Sequence, residues 1–344
     1  MKHLACYHPL KGFAVGQTAK KKTQYKICSY DVNTVLIPID GGTTICTIEE
    51  NKWTPGYKTI TEYTDIPCGQ CIGCRLDYSK QWANRCMLEL EYHEKAYFAT
   101  MTYAPEEMPI SYYAKNDNGE AQATGTLDKR DLQLFFKRLR KKQEEQIRYY
   151  AVGEYGTEFE RPHYHAIIYG LDLPDLTFHH KGKNGFPYYK SQIFENAWKK
   201  GICDLTTVSW DTCAYVARYM TKKLKGNEGK KYEITNIEPP FSLMSRKPGI
   251  ARQWFDDHPD CYDYDYINLT TAKGGKKIKH PRYYDALYDI KNPEEMKKIK
   301  EIRKEIAKTA KELKLKNTTL TYQEILAIQE RSLQEKIKIL EREL

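Results

Sequence analysis

No run of apolar residues in the 344-residue chain approaches the roughly 18 that a membrane span needs, so a transmembrane reading is excluded. The N-terminus, MKHLACYHPLKGF, lacks the apolar core of a secretory signal. The expected location is therefore the compartment where the protein is made, the cytoplasm. Cysteine is too sparse for a disulfide scaffold: ten residues are spread over the whole chain, which argues for reduced thiols and metal ligands. Hydrophobic residues at 40% and charged residues at 29% are an ordinary soluble balance, and the length allows a real core in one large domain or two.

Positive charge and tyrosine are abundant. Lys and Arg (55) outnumber Asp and Glu (46), and 28 tyrosines supply flat rings able to stack on bases. The combination suggests a nucleic-acid partner, although charge alone fits a solubilised surface equally well.

Periodicity divides the chain into four stretches. Residues 1–66 alternate short β-like runs (NTVLIPI, TTICTI) with turn residues and show no helical period. CGQCIGC at 68–74 leads into a helical pattern, which makes 1–95 a β-rich region with a cysteine knuckle and a helix. Over 96–225 the pattern runs strand (AYFATMTY), helix (TLDKRDLQLFFKRLRKKQEEQ, capped by Thr126 or Asp128), then IRYYAVGEYG and HYHAIIYGL as paired strands. A helix (SQIFENAWKK), a strand (GICDLTTVS) and a helix (WDTCAYVARYMTKKL) complete it. The order β-α-β-β-α-β is the ferredoxin-like split βαβ plan, an antiparallel sheet with helices in the α+β class. Residues 226–291 read as a basic, loop-rich extension with short strands, and 292–344 as a C-terminal helical hairpin. The first of those two helices opens with Asn292, Pro293 and Glu294, and Thr321 with Glu324 forms a capping box for the second. The hairpin is expected as a solvated or partner-binding arm.

In RPHYHAIIYG, residues 161–170, strand alternation puts His163 and His165 on one face and Tyr164 and Ala166 on the other. Alone, His-x-His fits a wet strand face as well as a metal site. Glu154, across the expected hairpin, can add a carboxylate, with Glu158 and Glu160 in the turn as rivals. Two imidazoles and one oxygen leave positions open for water and a phosphate, as a catalytic Mg²⁺ or Mn²⁺ requires. In AYVARYMTKK, Tyr215 and Tyr219 are four apart and share a helix face, beside Arg218, Lys222 and Lys223, cations suited to phosphate contact. Such a pair packs more often than it reacts. The basic runs KRLRKK (137–142) and KGGKKIKH (273–280) suit phosphate contacts or solvated faces.

RPHYHAIIYG, with AYVARYMTKK some fifty residues later and YFATMTY upstream, resembles the three-motif signature of HUH rolling-circle replication initiators. The wider chain, over about residues 1–250, is similar to one branch of them, the replication initiation proteins of gokushovirus-type single-stranded DNA phages of the Microviridae. The phrases that carry this are CYHPL (Cys6 to Leu10), CGQCIGCR (Cys68 to Arg75), GEYG and FSLMSRKPGI (Phe241 to Ile250). The resemblance implies an HUH endonuclease core with His163 and His165 as ligands and Tyr215 and Tyr219 as the nucleophile pair. Lys222 and Lys223 fall where such enzymes keep a helper lysine, while the position of the third ligand does not carry over. It further implies a nickase and strand transferase that forms a 5′-phosphotyrosyl link with a free 3′-OH at a single-stranded DNA origin. The setting would be the host bacterial cytoplasm, without a membrane partner and with host replication proteins as further partners. Two readings compete with it: a non-catalytic module that holds single strands, and a hydrolytic metallonuclease that forms no covalent intermediate.

CGQCIGC supplies three thiolates, Cys68, Cys71 and Cys74, and a structural Zn²⁺ takes four ligands. Cys6, in the ACYH segment that the resemblance also marks, is the expected fourth, with His8 as its rival.

Overall fold

The computed structural model describes residues 6–19, 23–114, 120–156, 160–182, 185–222, 229–271 and 274–342, except the side chains of 219–222 and 338–342. The elements begin with strands β1 (Leu10–Gln17), β2 (Thr23–Cys28), β3 (Thr34–Pro38), β4 (Ile45–Thr47), β5 (Tyr57–Ile60) and β6 (Tyr63–Ile66), then helix α1 (Ile72–Leu90). Next come β7 (Ala96–Tyr103), β8 (Ile110–Ala114), β9 (Ala121–Gly125), α2 (Lys129–Arg140), β10 (Arg148–Tyr155) and β11 (Pro162–Tyr169). They continue with β12 (Thr177–Lys181), β13 (Pro187–Lys190), α3 (Gln192–Trp198), β14 (Gly201–Thr207) and α4 (Trp210–Lys222). The chain ends with α5 (Lys230–Ile234), β15 (Phe241–Met244), α6 (Arg252–Asp257), β16 (Ile267–Thr271), β17 (Gly274–Ile278), α7 (Arg282–Lys291), α8 (Pro293–Leu315) and α9 (Tyr322–Arg342). Among the described residues no helix is long and apolar enough to cross a membrane.

Two compact units result: Tyr78–Leu287, and Lys2–Asp77 with Tyr288–Leu344. The first is built on an antiparallel seven-stranded sheet in the order β12-β13-β14-β7-β11-β10-β15. Strand alternation sorts its side chains. Ala99, Met101, Tyr103, Tyr164, Ala166 and Ile168 face one way and form a core with Leu132, Phe135, Phe136 and Leu139 of α2 and Phe194 and Trp198 of α3. The four α2 residues recur at i, i+3, i+4 and i+7, the apolar stripe of a helix lying on a sheet. Asp128 caps α2 by accepting from the Arg130 amide at 2.6 Å, and Ser191 caps α3 by accepting from the Phe194 amide at 3.2 Å. On the opposite face Trp82 of α1 stacks on Tyr150 of β10, ring centroids 4.5 Å apart, and Tyr169 of β11 donates to the Cys86 carbonyl of α1. Helix α4 lies against β10 and β11 on that same face.

β15 pairs with β10, which places the FSLM of FSLMSRKPGI at the edge of the central sheet. The rest of that motif is held by buried polar groups. Arg148 donates to the Pro248 and Gly249 carbonyls at 3.1 and 3.0 Å, Arg85 to that of Ile250 at 2.9 Å, and Tyr284 to that of Ala251 at 2.7 Å. Glu89 accepts from the Ala251 amide at 2.5 Å and pairs with Arg148 and His93. Elements of four to six residues such as β15 and α6 are too short to print a period, so composition alone reads their region as loop.

In the second unit β2-β1-β6 and β4-β3-β5 form two small sheets around Phe13, Cys28 and Val35. Cys28 and Cys46, expected as reduced thiols, form a disulfide with Cα atoms 6.9 Å apart. The distance between strands, which spacing in sequence does not encode, brings them together. Lys311 of α8 donates to Tyr30 at 2.5 Å and pairs with Asp65 at 3.3 Å, so the C-terminal helices share this unit's packing. Asn292 caps α8 without a side-chain hydrogen bond, whereas the Thr321–Glu324 capping box on α9 forms, with the Thr321 amide donating to Glu324 at 2.8 Å.

Burial would raise the Glu89 carboxyl, but hydrogen bonds from His93, Arg148 and the Ala251 amide outweigh it and hold the group below its ordinary value. A depressed carboxylate contributes stability above its unfolded pKa and loses it as pH falls through its folded one. The urea midpoint of the first unit should therefore drop on acidification below the ordinary carboxylate range, and Glu89→Gln should lower it at neutral pH while flattening that acid limb. An unchanged acid limb in the variant would remove Glu89 from this role.

Candidate functional site

The register of three strands builds the site. His163 stands opposite Thr102 on β7 and Glu154 on β10, and His165 opposite Thr100 and Val152. All these side chains share the α4 face of the sheet. Thr102 Oγ1 lies 3.1 Å from His163 Nδ1, and Thr100 Oγ1 lies 3.1 Å from His165 Nδ1. When each hydroxyl accepts from its Nδ1–H, both Nε2 atoms keep a lone pair for a cation, the usual way a neighbouring group fixes a ligand's tautomer. Both rings aim Nε2 toward β10. His165 Nε2 sits 3.2 Å from Glu154 Oε1, and His163 Nε2 is directed at Gly156. Two ligand atoms each about 2.1 Å from an octahedral ion stand about 3 Å apart, so the His165–Glu154 spacing fits a shared Mg²⁺ or Mn²⁺. His163 lies outside that contact, one step further along β10.

Burial lowers the His163 pKa, and the neighbouring His165 lowers it further, against the opposing charge of Glu154. The neutral ring this favours is the form that binds a cation. Glu154 and His165 are buried, at 3% and 5% exposure.

Helix α4 brings Tyr215 over this face. Its ring meets His165 edge-on at 5.6 Å and Phe98 at 6.0 Å, while Phe98 stacks parallel on His165. Tyr215 remains 41% exposed although Ala214, Val216 and Ala217 beside it are buried, so a large substrate can reach it. Arg218 holds its guanidinium 6.0 Å from the Tyr215 ring centre. The Tyr219 and Lys222 side chains and all of Lys223 lie outside the described residues, as does Glu158. Glu160 turns away to Lys231, at 2.5 Å.

Three contributors escaped sequence reasoning. Thr100 and Thr102 carried a readable signal, since T-x-T in YFATMTY has the same two-residue spacing as H-x-H. The glycines of GEYG had none without the fold. A Cβ on Gly153 would come within 3.1 Å of Leu127 and Phe241, and one on Gly156 would meet His163 Nε2 at 2.9 Å. Gly156 is the space that the imidazole uses.

A second cluster lies in the other unit. Cys6, Cys68, Cys71 and Cys74 hold their sulfurs within 4.8 Å of one another, a group able to hold a metal ion. Backbone amides turn toward them: Cys68 N–H donates to Cys6 at 3.2 Å, Cys71 N–H to Cys68 at 3.3 Å and Tyr7 N–H to Cys71 at 3.3 Å. A hydrogen bond with Cys6 is the main cause that brings Cys71 down to about 4, so one member is a thiolate at neutral pH. Tyr322, Leu326 and Leu333 of α9 cover the cluster. His8, the rival fourth ligand, is exposed and pairs with Glu330 at 2.7 Å.

A family model for replication-associated proteins of the ORF2 type matches residues 96–224, the span from β7 into the end of α4. The chain is 30% identical to the replication-associated protein ORF2 of Spiroplasma virus 4 over 287 residues, 81% of this chain and 85% of that one. It is 29% identical to the replication-associated protein VP4 of Bdellovibrio phage phiMH2K, covering 67% and 69% of the two chains. It is 28% identical to the replication-associated protein ORF4 of Chlamydia phage 1, covering 49% and 41%. No solved structure matches it.

Gly156→Ala should push the His163 ring off Thr102. In selectively labelled protein the His163 ring resonances should shift while those of the distant His180 hold, with the thermal midpoint little changed. An unmoved His163 signal would contradict the packing described here.

Proposed function

As the chain belongs to the ORF2-type family of phage replication-associated proteins, we propose that it initiates phage DNA replication as a metal-dependent tyrosine nickase and strand transferase acting on single-stranded origin DNA. The observation that carries this reading is the accessible Tyr215 hydroxyphenyl group set edge-on at 5.6 Å from the ring of His165, itself in contact with Glu154. The strand order β14-β7-β11-β10, with α2 joining β7 to β10 and α3 between β11 and β14 in the chain, supports a split βαβ core of the HUH type.

His163, His165 and Glu154 would hold Mg²⁺ or Mn²⁺, which when bound supplies charge to polarise the phosphoryl oxygens. The chain's own residues do the rest. Thr100 and Thr102 keep both imidazoles oriented, and α4 presents Tyr215 on the same face. Its Oη forms a bond to phosphorus as the bond from phosphorus to O3′ breaks. The phenolic proton leaves to solvent, and the released O3′ takes up a proton to become the free 3′-OH. Arg218, with Lys222 and Lys223, supplies cations for the phosphate and for the developing phenolate. One phosphoester replaces another, so the link retains the energy for rejoining and needs no nucleotide cofactor. Tyr219, one turn on, is the second nucleophile of the pair. At the four-thiol cluster, the ligand number and the amide-to-sulfur bonds support structural Zn²⁺.

Protein mixed with single-stranded origin oligonucleotides and Mn²⁺ should yield a denaturation-resistant adduct that is lost in the Tyr215→Phe, Tyr219→Phe double variant. Cleavage without an adduct would favour water as nucleophile, and binding without cleavage a passive module. His163→Ala should abolish metal-dependent cleavage with the fold intact; full activity in it would sink the ligand assignment.

For the second cluster, elemental analysis should find one zinc per chain, lost in Cys71→Ser. Absence of zinc from both proteins would refute that site.

A further inference from the structure

Beyond β14 the central sheet continues into a hairpin that no step of the proposed reaction uses. β12 and β13 pair antiparallel, and β13 joins β14 through Tyr188↔Thr206 and Tyr189↔Leu205. Thr206 pairs with Phe98, and Phe98 with Ile167, so Tyr188 occupies the same row and the same face as Phe98, three strands from β11. At about 4.8 Å per strand that is about 14 Å. His180 lies opposite Tyr188, and the two rings stack with an interplanar angle of 3°.

This end of the sheet is open. All five residues of β12 are exposed, Phe178 at 60%, and Ile202 of β14, on the α4 face, at 62%. An exposed edge strand bearing a large ring is a hazard that proteins usually blunt, and its retention calls for an occupant. Composition says which kind. The stretch TFHHKGKNGFPYYK, residues 177–190, holds three lysines, two histidines and four aromatic rings, and contains neither Asp nor Glu. Asp204, the carboxylate of β14 on this face, is already paired with Lys190 at 3.0 Å, so it does not present a bare negative charge. Rings for stacking beside cations, without acidic neighbours, match a single nucleic-acid strand and suit a protein partner poorly.

We propose that the β12–β13 hairpin is a platform for the single-stranded DNA flanking the cleaved phosphate, with His180 and Tyr188 stacking on bases and Lys181 contacting the backbone. The identity of the ligand rests on the function proposed above. On this assignment the sheet carries the strand outward from Tyr215 across β7 and β14 to the hairpin.

Binding of a fluorescein-labelled single-stranded oligonucleotide, followed by anisotropy in EDTA so that no cleavage occurs, tests it. The Phe178→Ala, His180→Ala, Lys181→Ala triple variant should bind about tenfold more weakly, with a shallower dependence on salt by about one phosphate contact. Equal affinity and slope would overturn the platform. Because the triple variant could lose the hairpin itself, wild-type protein crosslinked to an iodouracil-substituted strand gives an independent reading. Crosslinks should map to residues 177–190, and their complete absence from that peptide would overturn the proposal. The two readings separate cleanly: hairpin binding without any covalent adduct upholds the platform and removes the nickase, while an adduct with no hairpin contribution does the reverse.

Discussion

Antiparallel register across β7, β11 and β10 is the constraint on which the candidate site depends. It aligns Thr102, His163 and Glu154 in one row and Thr100, His165 and Val152 in the next. Side chains alternate with a period of two, so a slip by one residue would turn both imidazoles into the core and bring Tyr164 and Ala166 to the surface. Burial prevents it. Tyr164 is fully buried on the opposite face, where its hydroxyl meets Tyr103 at 2.9 Å and the Asp128 amide at 2.8 Å. The same alternation that builds the α2 and α3 core thus aims the histidines.

Rigidity reaches the site from behind as well. Tyr283, Arg85, Trp82 and Tyr150 form a stack, with the guanidinium 4.1 Å from one ring and 4.2 Å from the next, and Trp82 lying on Tyr150 of β10. β15 closes the other edge of β10, so the strand carrying Glu154 is paired on both sides. A carboxylate beside two imidazoles needs this support, because an error of about 1 Å in a ligand is enough to spoil a metal or phosphate site.

The sheet that carries the candidate site was legible because its signals are local. Strand AYFATMTY, the α2 stripe with its Asp128 cap, the hairpin around GEYG and HYH, and α4 with Tyr215 all occur close to where pattern and capping chemistry put them. Cys6 as partner to the CGQCIGC thiols also followed, although from resemblance more than from spacing. The rest was hidden by length or distance. β15 and the β12–β13 hairpin are too short to show a period, and the packing of α8 and α9 with residues 2–77 joins segments more than two hundred residues apart. Long-range docking leaves an amphipathic stripe on each partner but no mark of which stripe meets which.

By itself the sequence determined which residue types alternate on which strand, where helices begin, and that thiols, imidazoles and tyrosines occur in the order a phosphoryl-transfer protein needs. These follow from backbone geometry acting over a few residues. Only the tertiary structure decided that Thr100 and Thr102 orient the histidines, that Glu154 contacts His165 while Glu160 pairs with Lys231, and that Gly156 leaves the space His163 occupies. Those choices depend on contacts between strands, whose register is set by the burial of the whole sheet.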